Sequence, residues 1–133
     1  MKPNTALCRL VRGRAGGRCE YCRFPEEHSV PVFEVEHIIP HKHGGLTTED
    51  NLALACFFCN RYKGPNVAGI DPDNESVVRL FHPRLDNWEE HFLWIDFRVL
   101  PKTAIGRVTT AVLRFNQPNA VEVRRELMEG GLW

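Results

Sequence analysis

Cys19-Glu20-Tyr21-Cys22 and Cys56-Phe57-Phe58-Cys59 are two CxxC turns, and this pair decides how the 133-residue chain is read. Zinc takes four soft ligands at about 2.3 Å in a tetrahedron, and a CxxC turn presents two sulfurs to one centre without strain. Two such turns make a closed site with no open position, the pattern of a structural metal. Buried free thiols and a redox pair are the competing accounts. A redox motif needs only one CxxC, however, and this chain has two matched ones. The spacing therefore predicts structural Zn²⁺ on Cys19, Cys22, Cys56 and Cys59. Cys8 lies outside both pairs and reads as a small apolar residue.

The elements around these turns follow from pattern. Leu7, Leu10 and Val11 at helical spacing before Gly16-Gly17 predict a helix over 5–16. Residues 24–31 read as loop. Residues 32–39, rich in β-branched and aromatic side chains and ended by Pro40, read as a strand. Residues 41–50 form a loop with a Gly44-Gly45 turn, residues 51–55 a second strand pairing with the first, and residues 60–64 a short helix stopped by Gly64 and Pro65. Beyond Pro65, residues 65–76 read as loop, 77–81 and 93–100 as strands, and 102–115 and 118–129 as helices. Pro118 opens the last of these. Ile105, Val108, Val112, Leu113 and Phe115 form a core-facing stripe, and Trp88, Phe92, Trp94 and Phe97 read as core. The expectation is one α+β domain over 1–133, with an N-terminal helix at 5–16, a zinc core at 19–64 and an accessory region at 65–133.

Composition excludes several classes. Hydrophobic residues make up 43% and charged residues 26%, the balance of a soluble globular domain and not of a disordered tail or a fibre. No apolar run approaches the roughly 18 residues that span a bilayer, and the N-terminal stretch has no apolar signal-like core. The expected location is cytoplasmic, with no membrane partner, and there cysteines serve as metal ligands more often than as disulfides. Seventeen basic residues balance seventeen acidic ones, but residues 1–24 hold six basic groups against Glu20 alone. A basic N-terminal segment is either a polyanion contact or a solvated helix face, and charge alone favours the latter.

Between the two CxxC turns lie Glu36-His37-Ile38-Ile39-Pro40, Gly44-Gly45 and Asn51-Leu52, and Asn60-Arg61-Tyr62-Lys63-Gly64 follows the last cysteine. His37 has an ordinary pKa near neutrality, as a general base requires. Glu36 and Asn60 offer hard oxygen ligands suited to Mg²⁺ or Mn²⁺, and Asn51 can hold the imidazole by a hydrogen bond. Adjacent residues on a strand point to opposite faces, so Glu36 and His37 share a site only where the strand bends. His41 and His43 read as exposed loop histidines, with a phosphate contact or a metal ligand as the alternative. His28, His82 and His91 receive no role.

In these elements, in this order, residues 19–64 resemble the HNH endonuclease family in its His-Asn-Asn form. The resemblance implies a ββα-metal, treble-clef-like finger: a zinc knuckle, a hairpin and a helix lining the active site. It implies His37 as general base, Glu36 and Asn60 as ligands of a catalytic Mg²⁺ or Mn²⁺, and Asn51 as the residue that orients His37. Arg61 and Lys63 are then expected to contact phosphate. The second half resembles the accessory region of small stand-alone bacterial HNH proteins, where Arg107, Arg114, Arg124 and Arg125 could extend a DNA-facing surface. The implied function is metal-dependent hydrolysis of DNA, by a monomer or homodimer that uses no small-molecule cofactor. The alternative is a non-catalytic, zinc-stabilised nucleic-acid-binding or protein-interaction module.

Overall fold

Residues 2–133 are described here from a computed structural model. Among the described residues the fold is α+β, with five α-helices and three two-stranded antiparallel hairpins, divided into two compact units. One unit runs to Val67 and takes in His82–Leu85, while the other comprises Ala68–Phe81 and Asp86–Trp133.

The first unit begins with α1 (Thr5–Ala15), capped by the Asn4 side chain, which accepts from the Leu7 amide at 2.8 Å. Gly16 at φ 64 closes it in the left-handed conformation that glycine adopts without strain. The first CxxC turn follows, and strands β1 (Glu34–His37) and β2 (Leu52–Ala55) then pair with Glu36 opposite Ala53 and His37 opposite Leu52. All four residues of β2 are buried, which explains its unbroken apolar run, Leu-Ala-Leu-Ala. Glu20 ties the knuckle to this strand twice: its amide donates to Leu54 O, and its carboxylate accepts from Leu54 N, both at 2.9 Å. Glu20 also pairs with Arg84. Helix α2 (Phe57–Lys63) completes the ββα arrangement. It starts three residues earlier than the sequence predicts because Cys56 caps it, accepting the Cys59 amide on sulfur at 3.4 Å.

Three arginines of the basic N-terminal segment are bound within this unit. Arg12 pairs with Glu26 and donates to Phe33 O, Arg14 donates to Leu52 O and Arg18 donates to Arg23 O. Three of the six basic groups there thus donate to main-chain carbonyls.

The second unit holds β3 (Ala68–Ile70) paired with β4 (Val77–Arg79), α3 (Trp88–His91), β5 (Phe92–Ile95) paired with β6 (Arg98–Pro101), α4 (Ala104–Val112) and α5 (Pro118–Glu129). Residues 65–76 are therefore not all loop. Gly69 gives β3 a weak strand signature, yet it lets α4 approach, since a Cβ there would stand 2.7 Å from Val112 Cγ2. Residues 93–100 are not one strand either: Asp96, at φ 54, turns the chain and folds the stretch into a hairpin. Trp88, Phe92 and Phe115 are buried together, as expected for core. Arg107 binds the Asp71 carboxylate through two 2.9 Å hydrogen bonds, Arg124 donates to Phe97 O and Phe115 O, and Arg125 pairs with Glu122 and Glu129. Arg107 and Arg124 thus brace the unit, whereas Arg125 pairs within its own helix, and all three guanidinium groups are engaged by protein partners.

Candidate metal centre and catalytic cleft

The sulfurs of Cys19, Cys22, Cys56 and Cys59 lie within 4.8 Å of one another, and all four residues are buried. The two CxxC turns thus converge on one point, in a site suited to a metal ion. Main-chain amides support the sulfurs, with Cys22 N donating to Cys19 Sγ at 3.5 Å and Cys59 N to Cys56 Sγ at 3.4 Å. Burial alone would raise the Cys19 thiol, but hydrogen bonds from the other three cysteines hold it well below its ordinary value. Burial pushes Cys59 up. Four thiols this close without an ion would repel on ionising, which is the electrostatic situation a cation relieves.

Next to this cluster, Glu34, Glu36, His37, His41 and Asn60 line a shallow cleft of about 440 Å³. His37 also borders a second hollow of about 370 Å³, lined by Lys2, Cys8 and Arg12. The end of β1 and the middle of α2 thus bring Glu36, His37 and Asn60 to one place.

Their surroundings differ. The His37 ring is half-buried, with Nε2 2.8 Å from Thr47 Oγ1. Its Nδ1 has no hydrogen-bond partner among the described residues. Burial lowers the His37 pKa below its ordinary value, and the nearby Lys63 ammonium acts in the same direction, so the shift favours the neutral imidazole. Glu36 is buried, and donors from the interior hold both its oxygens: Tyr21 OH at 2.5 Å and Lys63 Nζ at 3.1 Å. Burial raises its pKa, while Lys63 and Tyr21 oppose that rise. A carboxylate has about four acceptor sites, so two remain for a cation in the cleft. Asn60 is half-buried, and its side-chain amide has no protein partner among the described residues.

Two sequence expectations need correction. Asn51 does not bond the imidazole. Its Oδ1 accepts from Ile39 N at 2.9 Å, and its Nδ2 donates to Ile39 O at 2.9 Å and Leu46 O at 2.8 Å. It pins the loop between the strands, and the imidazole is held instead by Thr47, which stands on that loop. Gly45 completes the arrangement, since a Cβ there would lie 1.7 Å from Ile39 O and 2.8 Å from Asn51 Nδ2. Lys63 does not reach a phosphate either. Only 1% exposed, it bonds Glu36 and the main-chain oxygen of His37, the latter at 3.1 Å. Helical period makes the reason plain: Cys59 and Lys63, four apart, share the inward face of α2, while Arg61 is exposed. Thr47 and Tyr21 are the residues that sequence reasoning missed. A threonine in a polar loop carries no pattern, and a tyrosine between two cysteines reads as filler.

His41 and His43 sit in a short 3₁₀ turn and are exposed. His41 borders the cleft.

Residues 19–66 match the family HNH endonuclease. None of the curated proteins compared matches the chain. No described helix is long and apolar enough to cross a membrane.

Proposed function

We propose that this chain, whose residues 19–66 are of the HNH endonuclease kind, hydrolyses phosphodiester bonds in DNA with a divalent metal. The observation that supports this most is that His37, Glu36 and Asn60 line one cleft beside a buried four-cysteine cluster. An imidazole with one ring nitrogen held by Thr47 and the other unpartnered, on a cleft that an unpartnered amide also lines, is the arrangement that water activation beside a cation requires.

His37 is the general base. Thr47 takes Nε2, which leaves Nδ1 to accept the proton of the attacking water. Lowering of the His37 pKa keeps that nitrogen unprotonated at neutral pH. Glu36 and Asn60 are the groups that would hold a divalent cation. Their donors are carboxylate and amide oxygens without sulfur, a set that fits hard Mg²⁺ or Mn²⁺. Such a cation supplies charge neutralisation at the scissile phosphate and at the departing oxygen. The exposed guanidinium of Arg61, next to Asn60 on α2, is the phosphate contact. The four cysteines hold zinc, and because Cys59 and Asn60 are consecutive residues of α2, the ion that fixes the first also positions the second. Reduced thiols of this kind belong to a cytoplasmic setting.

The test is nicking of supercoiled plasmid with Mg²⁺ or Mn²⁺ by the purified protein and by His37→Ala. Cleavage by the parent and its loss in a folded, metal-replete variant supports the reading. Equal rates in both preparations end it.

A further inference from the structure

Helix α2 carries its only large apolar side chains on the wrong side for a core. Cys59 and Lys63 are its buried residues, whereas Phe57 is 42% and Phe58 52% exposed. The rings are nevertheless ordered among themselves. Phe57 and Phe58 meet edge to face with centroids 5.5 Å apart, and Phe58 stacks loosely on Tyr62, centroids 6.4 Å apart and planes inclined at 21°. At about 100° per residue, the outward face of the helix reads Asn60, Phe57, Arg61, Phe58, Tyr62 in angular order. The aromatic strip therefore begins next to the amide that borders the catalytic cleft. In that angular order Arg61 falls between the two phenylalanine positions, exposed and without a carboxylate partner among the described residues.

We infer that this strip is a stacking platform for unpaired nucleobases, so that the substrate is a DNA strand that is single or opened beside the scissile phosphate. The inference rests on the nuclease reading for its substrate but not for its geometry. Aromatic faces bind bases by π-stacking, which any base supplies and a closed duplex does not expose. A guanidinium on the same helix face adds attraction to the phosphates between successive bases. A protein partner would also account for the apolar area and for an arginine beside it, but the strip runs into Asn60 and the cleft, where the substrate of a nuclease has to lie. Continuity with Asn60 places the stacked bases next to the cleft, so the platform would seat the phosphate near His37 as well as add affinity.

The experiment measures fluorescence anisotropy of a labelled 16-nucleotide single strand, and of the same sequence as duplex, with no divalent cation added. The parent is compared with Phe57→Leu/Phe58→Leu, which keeps apolar bulk and removes both rings. The expected result is at least about 10-fold tighter binding of single strand than of duplex by the parent, and a loss of about 10- to 100-fold in single-strand affinity in the variant, the range that one or two stacked bases contribute. Arg61→Gln is expected to reduce the salt dependence by about one phosphate contact. Phe58→Trp supplies an independent reading if the leucine variant fails to fold: the single strand should quench its fluorescence. Unchanged single-strand affinity in a folded leucine variant, or no quenching of Phe58→Trp at saturating oligonucleotide, overturns the inference. So does concentration-dependent dimerisation of the parent that the leucine variant abolishes while oligonucleotide binding stays the same. A parent that never cleaves DNA, paired with a leucine variant that loses single-strand affinity, removes the nuclease reading and leaves the platform. Cleavage by the parent with unchanged affinity in the variant does the reverse.

Discussion

Thr47 Oγ1 stands 2.8 Å from His37 Nε2, so a loop threonine and not the expected asparagine holds the candidate base. The contact occupies Nε2 and leaves Nδ1 without a partner among the described residues, and Asn51 and Gly45 shape the loop that delivers the threonine. His37→Ala should lower cleavage by about 10²–10⁴-fold, the usual contribution of a general base. Thr47→Val should lower the rate less, by about 10-fold, because the imidazole stays present but turns freely. Thr47→Ser, which retains the hydroxyl, should restore most of it. Single-turnover rates on a plasmid substrate check the series, and a Thr47→Val protein as fast as the parent would remove Thr47 from the mechanism.

The acid limb of cleavage follows from the same ring. A base works in its neutral form, so rate rises with pH until the imidazole is fully deprotonated. Burial shifts the His37 pKa below its ordinary value, and the midpoint of the free-enzyme kcat/KM profile should therefore fall below about 6.5. Activity should be flat from there to pH 8. A midpoint above 7 would mean that a different group titrates.

How much of this was legible in the sequence depends on what each residue contacts. The CxxC turns, the hairpin and the last helix carry local signals, and α5 (Pro118–Glu129) spans the stretch the pattern predicts. Residue type and the resemblance single out His37, Glu36 and Asn60, and the fold brings these three to one cleft. What escaped is non-local. Lys63 looks like a phosphate ligand until the inward face of α2 is known, and Asn51 and Thr47 exchange roles according to the path of a loop. The β5–β6 hairpin escaped because its turn, Asp96-Phe97, contains no glycine to announce a positive φ.

Removal of metal should separate the two sites. Four thiols in a closed cluster couple metal binding to folding, so Cys56→Ser should lose metal and melt the first unit. Glu36 and Asn60 offer few ligands to the second ion, so mild EDTA should stop cleavage without changing the circular dichroism spectrum, and Mg²⁺ or Mn²⁺ should restore it. Asn60→Ala should raise the Mg²⁺ concentration for half-maximal cleavage about 10-fold with little change in duplex binding. An Asn60→Ala protein with the parental metal dependence would transfer the ligand role to His41 or Glu34, which line the same cleft. Elemental analysis that finds no zinc in folded protein would contradict the assignment of the cysteine cluster.

The buried pair Lys63–Glu36 joins three elements: α2 through the ammonium, β1 through the carboxylate, and the first CxxC turn through Tyr21. Removing one partner of a buried pair leaves an uncompensated charge in the interior, which costs about 3–5 kcal/mol. Lys63→Met should therefore destabilise the protein by that order, seen as a lower midpoint in denaturant. It also removes the bond to His37 O at the end of β1, so cleavage should fall even at temperatures where the fold persists. Glu36→Gln added to Lys63→Met neutralises the orphaned carboxylate and should recover stability, while activity stays low because the carboxylate that would hold the catalytic cation is gone. Stability and activity should thus part company in the double variant. If Glu36→Gln restores both together, the carboxylate is structural only, and the cation would have to be held by Asn60 with Glu34 or His41.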